Sequence, residues 1–223
     1  MREIVLDTET TGLDPLGGDR IVEIGCVELV NHVASGKTFQ RYINPERDMP
    51  EGAFRVHGLS TNFLAEQPIF AAIAEDLLSF LSEDKLVIHN AVFDLGFLNA
   101  EFERLGRPAV PPARAIDTVA LARRKYPGAP ASLDALCRRF EIDNSERTKH
   151  GALLDAELLA EVYLELIGGR QPSLVLHASQ AEGKDEKAQT HVAKTPRPHA
   201  PSHAEKAAHA AFITTLDDPI WNS

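Results

Sequence analysis

Four carboxylates and one histidine in this chain are spaced to hold divalent cations: Asp7 and Glu9 in Asp7-Thr8-Glu9-Thr10-Thr11-Gly12, Asp94 in His89-Asn90-x-x-x-Asp94, and Asp155 with His150 in His150-x-x-x-x-Asp155. Residues two apart on a strand face the same way, so Asp7 and Glu9 project from one face and can share or bridge cations. Hard oxygen ligands suit Mg²⁺ or Mn²⁺, and no Cys-rich or His-rich shell of the kind zinc prefers accompanies them. Such a set points to metal-dependent cleavage of a phosphodiester. Taken alone, Asp7-x-Glu9 also reads as two solvated acids at a strand end.

Asp94 begins an apolar stripe with Phe97, Leu98, Phe102 and Leu105, and Asp155 does so with Leu158, Leu159 and Val162. The helix macrodipole stabilises an anion in the first turn by about 0.3 to 1 kcal/mol. That accounts for their placement near helix starts but not for the inward face, where a carboxylate needs a counter-charge. His150 and Asp155 are five apart, which at ~100° per residue puts them ~140° apart on one helix. They cannot share a face, so His150 is expected in a loop before Gly151, reaching over the site. There it can take a proton from a water activated by metal, or stand exposed and idle.

The elements that must position these groups follow from periodicity. Arg2 to Asp7, Ile21 to Leu29 and Lys37 to Ile43 read as an antiparallel meander, and Leu86-Val87-Ile88 as a short buried strand. Ile69, Ile73, Leu77, Leu78 and Leu81 recur at helical spacing. Helices are expected from about Val92 to Leu105, Val119 to Tyr126, Leu133 to Phe140 and Gly151 to Ile167, with a further short strand near Ala115-Ile116. Phe54 to Leu64 reads as irregular or weakly helical. The predicted class is α/β, a mixed five-stranded sheet flanked by helices.

Composition divides the chain. Through Gly169 it is dense in Leu, Val, Ile and Phe; from Arg170 it turns to Ala, His, Pro, Lys, Gln and Ser. Of 23 Lys+Arg and 33 Asp+Glu, six of each fall in the tail, so 17 against 27 remain in the body and the whole deficit of ten lies there. An acidic body repels bulk duplex, because nonspecific affinity comes from Lys and Arg neutralising phosphates. If the chain acts on nucleic acid, metals must help hold the phosphates, or a partner must deliver the substrate. The expected organisation is a domain over 1–169, a linker over 170–206 too poor in large apolar residues to fold alone, and an apolar-anchored tail over 207–223. The tail histidines are too irregular to make a metal site. Cys26 and Cys137 sit in apolar segments without metal-binding or redox spacing, and no leader or membrane-length apolar run is evident, so a cytoplasmic location is expected with no membrane partner.

Together DTETTG, VHG, HNAVFD, SLDALC and HGALLDA resemble the DEDD superfamily of 3′-to-5′ exonucleases in its histidine-bearing subclass, across the body. The resemblance implies a ribonuclease H-like fold in which Asp7, Glu9, Asp94 and Asp155 hold two Mg²⁺, Mn²⁺ substituting, while His150 activates water and a nucleoside 5′-monophosphate leaves. It further implies that Thr8 and Glu9 meet the terminal nucleotide, that Leu13, Val56 and Phe93 wedge or stack on terminal bases, and that His57 and Asn90 lie beside the terminal sugar or phosphate. Phe93 and Val56 can equally pack in the core, and His57 and Asn90 can tie down their loops.

Within that family the likeness is to editing exonucleases of bacterial replicases, acting on single-stranded or frayed 3′ DNA ends. Gln171-Pro172-Ser173-Leu174-Val175-Leu176 resembles a peptide that binds the sliding clamp through Gln171, Leu174 and Leu176, with Leu176 replacing the usual Phe and implying weak binding. Phe212, Leu216 and Trp221 match a tail that binds the polymerase subunit. An RNA-degrading exonuclease and a non-catalytic scaffold joining polymerase to clamp are the competing readings.

Overall fold

A computed structural model describes residues 1–145, 147, 149–168 and 200–215. The chain divides into two compact units, 1–175 and 176–223. The expected clamp peptide, with Gln171, Leu174 and Leu176, and the tail residues Leu216 and Trp221 lie outside the described residues.

The first unit is built on five strands, β1 (Arg2–Thr10), β2 (Ile21–Val30), β3 (Val33–Tyr42), β4 (Lys85–Ile88) and β5 (Ala115–Asp117). Their spatial order is β3-β2-β1-β4-β5, with antiparallel pairing on the β3 side of β1 and parallel pairing on the β4 side. Ile4, Val5 and Leu6 are wholly buried because β1 is central and covered on both faces. Alternation sends Ile4 and Leu6 into one core, with residues of α3 (Phe70–Leu81) and α4 (Ala91–Arg104). Val5 enters the other, with residues of α6 (Leu133–Phe140) and α7 (Ala152–Ile167). The α3 face carries most of the predicted stripe, with Ile73, Leu77 and Leu81 buried and Leu78 partly so, while Ile69 precedes the helix and is exposed.

The Phe54–Leu64 segment is more regular than its sequence suggests. It comprises the end of α1 (Glu51–His57), stopped by Gly58 at φ +76°, and most of α2 (Thr61–Ala65), capped by the Ser60 hydroxyl. Both are too short for periodicity to register, and their ends are set by a left-handed glycine and a serine cap. One further short helix, α5 (Thr118–Lys125), follows β5 directly, capped by Asp117.

The second unit contains α8 (His203–Ile213), which spans the expected boundary at Ala207. Ser202 and Glu205 form a reciprocal capping box at its start. That signal, Ser-x-x-Glu, is present in the sequence but unaccompanied by an apolar stripe. Phe212 is exposed on this helix.

Candidate active site

The site lies where β1 outruns its neighbour. β4 pairs with Glu3 through Leu6 and ends at Ile88, so Asp7 is the first residue of β1 whose β4-side flank is open. The chain turns there through His89 and Asn90, the latter left-handed at φ 71°, and starts α4 so that Asp94 falls in its first turn. Crevices beyond the carboxyl ends of strands are where open α/β sheets bind ligands. Thr8, on the α4 face of β1, donates its hydroxyl to Asp94 Oδ1 at 2.7 Å and ties the two elements together.

The opposite face of β1 presents Asp7 and Glu9 to α7. Asp7 pairs in register with Gly25 on β2, and a Cβ there would come within 2.2 Å of the Ala152 and Leu153 backbone. Gly25 therefore lets the first turn of α7 lie directly on the sheet. Glu23, opposite Glu9, accepts from the Ala152 amide at 3.2 Å and satisfies an α7 amide that the Gly151 cap cannot. Asp155, buried in that turn, is thereby aimed at Asp7 and Glu9.

A cavity of about 320 Å³ is lined by Asp7, Thr8, Glu9, Phe93, Asp94, His150 and Asp155, together with His89, Ser132–Asp134 and Arg147. Ligand atoms of Glu9, His150 and Asp155 lie within 4.8 Å of one another, close enough to share one ion. Burial raises Asp7 well above the carboxylate range, helped by Asp94, Asp155 and Glu9. Burial likewise pushes Glu9 to about 8, aided by Asp155 and Glu23, and Asp94 to about 7. Asp155 alone moves down: burial would raise it, but hydrogen bonds from Arg147 and His150 prevail. Three carboxyls that resist ionising together mark a site that requires added positive charge. The donors, four carboxylates and one imidazole, fit a hard divalent cation.

His150 stands in the loop before Gly151, as the angular argument requires, with its backbone amide bonded to Val56 O at 3.2 Å. Its side chain is 47% exposed and its Nδ1 lies 3.2 Å from Asp155 Oδ2. Phe93 borders the cavity while packing on Phe97 at 5.0 Å between ring centroids. Leu13 is 83% exposed at the tip of the loop after β1, and Val56 is exposed at the end of α1. His57 is buried, its Nδ1 accepting from the Leu59 amide at 3.0 Å and its Nε2 unpartnered. Asn90 lines a neighbouring cavity of about 570 Å³ that shares His89 and Ser132 with the first. Leu13, Val56, His57 and Asn90 thus do not line the carboxylate cavity.

Arg147 carries no signal in the sequence, yet its guanidinium bonds both oxygens of Asp155 at 2.5 and 2.7 Å, Asp134 Oδ1 at 2.8 Å and His150 Nδ1 at 2.7 Å. No spacing rule links it to these partners. Gly25 and Glu23 also escape notice in the sequence, although a glycine inside an apolar strand is itself a signal of close backbone approach.

Fold and site together define a phosphodiester-cleaving nuclease. Residues 4–163 match the family described as Exonuclease. Among solved structures, exonuclease X in complex with 5′ overhanging duplex DNA is 25% identical with a TM-score of 0.58, covering 75% of this chain and 92% of that one. The nuclease domain of 3′hExo, a DEDDh family member bound to rAMP, shares the fold with a TM-score of 0.65 at 19% identity, covering 76% and 92%. The DNA polymerase III subunit epsilon of Rickettsia felis is 51% identical over 97% of each chain, and that of Escherichia coli is 49% identical over 76% of this chain and 72% of its own. The chain belongs to the exonuclease family and, within it, to the DNA polymerase III epsilon subunits. The family depends on divalent metal. Among the described residues no helix is long and apolar enough to cross a membrane.

Proposed function

We propose that this chain is the 3′-to-5′ exodeoxyribonuclease that proofreads mispaired primer ends within a DNA polymerase III core, releasing nucleoside 5′-monophosphates. The observation that carries this reading is the convergence of Asp7, Glu9, Asp94 and Asp155 on one cavity with His150 at its rim, in a chain of the epsilon family. These four carboxylates would hold two Mg²⁺, or Mn²⁺ in their place. Cations bound there supply the charge that steadies an in-line displacement and ease ionisation of the attacking water.

His150 accepts the water's proton at Nε2 when its Nδ1 carries hydrogen and donates to Asp155 Oδ2. Thr8 and Glu9 meet the terminal nucleotide, with Phe93 stacking on a terminal base. Leu13 and Val56, both exposed, separate or grip bases, while His57 and Asn90 lie beside the terminal sugar or phosphate. A mispaired end frays at low cost, so discrimination comes from the DNA rather than from base-reading contacts. The acidic body is consistent with this division, since the polymerase and clamp supply affinity for duplex.

The exonuclease domain is assigned to 1–169, the linker to 170–206 with a weak clamp-binding peptide at 171–176, and the tail from 207 to the polymerase III alpha subunit through Phe212, Leu216 and Trp221. A cytoplasmic location follows from membership of a replicase. The test is decay of 3′-labelled DNA and RNA oligomers in Mg²⁺, with and without the polymerase subunit. Preferential removal of mispaired 3′ deoxynucleotides is expected, and exclusive cleavage of RNA would overturn the reading.

A further inference from the structure

Arg147 and Asp155 make incompatible demands on one atom. A guanidinium can only donate, so Arg147 at 2.7 Å from His150 Nδ1 requires a lone pair there. An ionised carboxylate can only accept, so Asp155 Oδ2 at 3.2 Å from the same nitrogen requires a hydrogen. In the neutral ring the choice fixes the other nitrogen. With Arg147 satisfied, the proton sits on Nε2 and that atom has no lone pair to receive another. With Asp155 satisfied, Nδ1 carries the proton and Nε2 is a base.

The same guanidinium occupies both oxygens of Asp155, at 2.5 and 2.7 Å, while a second acceptor, Asp134, holds it at 2.8 Å from the opposite edge. Its side chain is 9% exposed, so solvent offers it no easy alternative. Asp155 cannot give an oxygen fully to a cation while both are held in this fork, and a guanidinium beside a divalent ion is repelled.

We propose that Arg147 is a positioning residue that couples metal loading to activation of the base. While Arg147 holds Asp155 it keeps His150 in the tautomer that cannot accept a proton at Nε2. When it releases Asp155 it leaves Nδ1 as well, and Asp155 then selects the basic tautomer. Asp134, at the start of α6, retains Arg147 near the cavity rim. This deepens the metal-site reading above and rests on it.

The test uses the full chain, with Mn²⁺ titrated by calorimetry and the His150 tautomer read from ¹⁵N–¹H correlation spectra with and without Mg²⁺. Wild type should show Nε2–H in chelator and Nδ1–H in Mg²⁺. R147Q should show Nδ1–H under both conditions and bind Mn²⁺ roughly tenfold tighter, because a cation competing within a few ångströms is gone. R147K, which keeps the charge but not the fork, should bind Mn²⁺ within about threefold of wild type while losing the tautomer switch, and it serves if R147Q fails to fold. An unchanged tautomer in wild type on adding Mg²⁺, or Mn²⁺ binding weakened in R147Q, overturns the proposal. Wild type that binds no Mn²⁺ would instead overturn the underlying metal-site reading.

Discussion

The carboxylates and the histidine of this site stand on different kinds of structure. Glu9, Asp94 and Asp155 are buried and Asp7 is partly buried, and all four sit on a central strand or in the first turn of a helix packed against it. His150 stands half-exposed on a loop, held by one backbone bond to Val56 and by side-chain contacts with Arg147 and Asp155. The contrast teaches a division of labour. Charges that must stay close despite repulsion are fixed by rigid elements, whereas the group proposed as the base stands on an exposed loop.

The sharpest way to break the rigid side is through a residue that touches no ligand. Gly25→Ala forces α7 off β2, and because overpacking costs about 1 to 3 kcal/mol and a 1 Å misplacement of a catalytic group can cost about a hundredfold, both melting temperature and excision should fall. An unchanged melt and rate would show that α7 docks otherwise. Breaking the mobile side should leave the fold alone. His150→Ala should lower kcat by about 10² to 10⁴, the range for general-base catalysis, with an unaltered thermal transition. Parallel losses of activity and stability would instead make His150 structural.

The repulsion among the carboxylates can be read directly in chelator. Glu9 titrates near 8 in the folded chain, against about 4.3 when unfolded, so between these values the native state holds more protons. Stability should therefore fall as pH rises through this window, and Glu9→Gln should flatten the slope. A slope of the opposite sign would mean that the carboxylates are not crowded. The smallest effect is expected outside the body. Ser202→Ala removes the cap of α8 and should weaken that helix by about 1 kcal/mol, seen as faster amide exchange over 203–213, without altering cleavage of short single strands.

The carboxylates were legible in the sequence because residue type and spacing carry the chemistry: period two placed Asp7 and Glu9 together, and the Asp155 stripe pointed inward. The same arithmetic moved His150 onto its loop. The long strands and helices were legible from periodicity, but α1 and α2 were not, since five to seven residues give too little period to read. Arg147, Glu23 and Gly25 were hidden for another reason. Glu23 acts on Ala152 and Gly25 on the backbone at 152–153, far away in sequence, so only the fold brings those roles together, while Arg147, three residues from His150 and eight from Asp155, stands in a loop whose course no periodicity fixes.

The most direct test of the account is release of a mispaired 3′ deoxynucleotide from labelled DNA by the full chain in Mg²⁺, set beside the Asp155→Ala variant and a chelated control. Nucleoside 5′-monophosphate is expected from the unaltered chain and nothing above the control from Asp155→Ala. Undiminished release by that variant would contradict it.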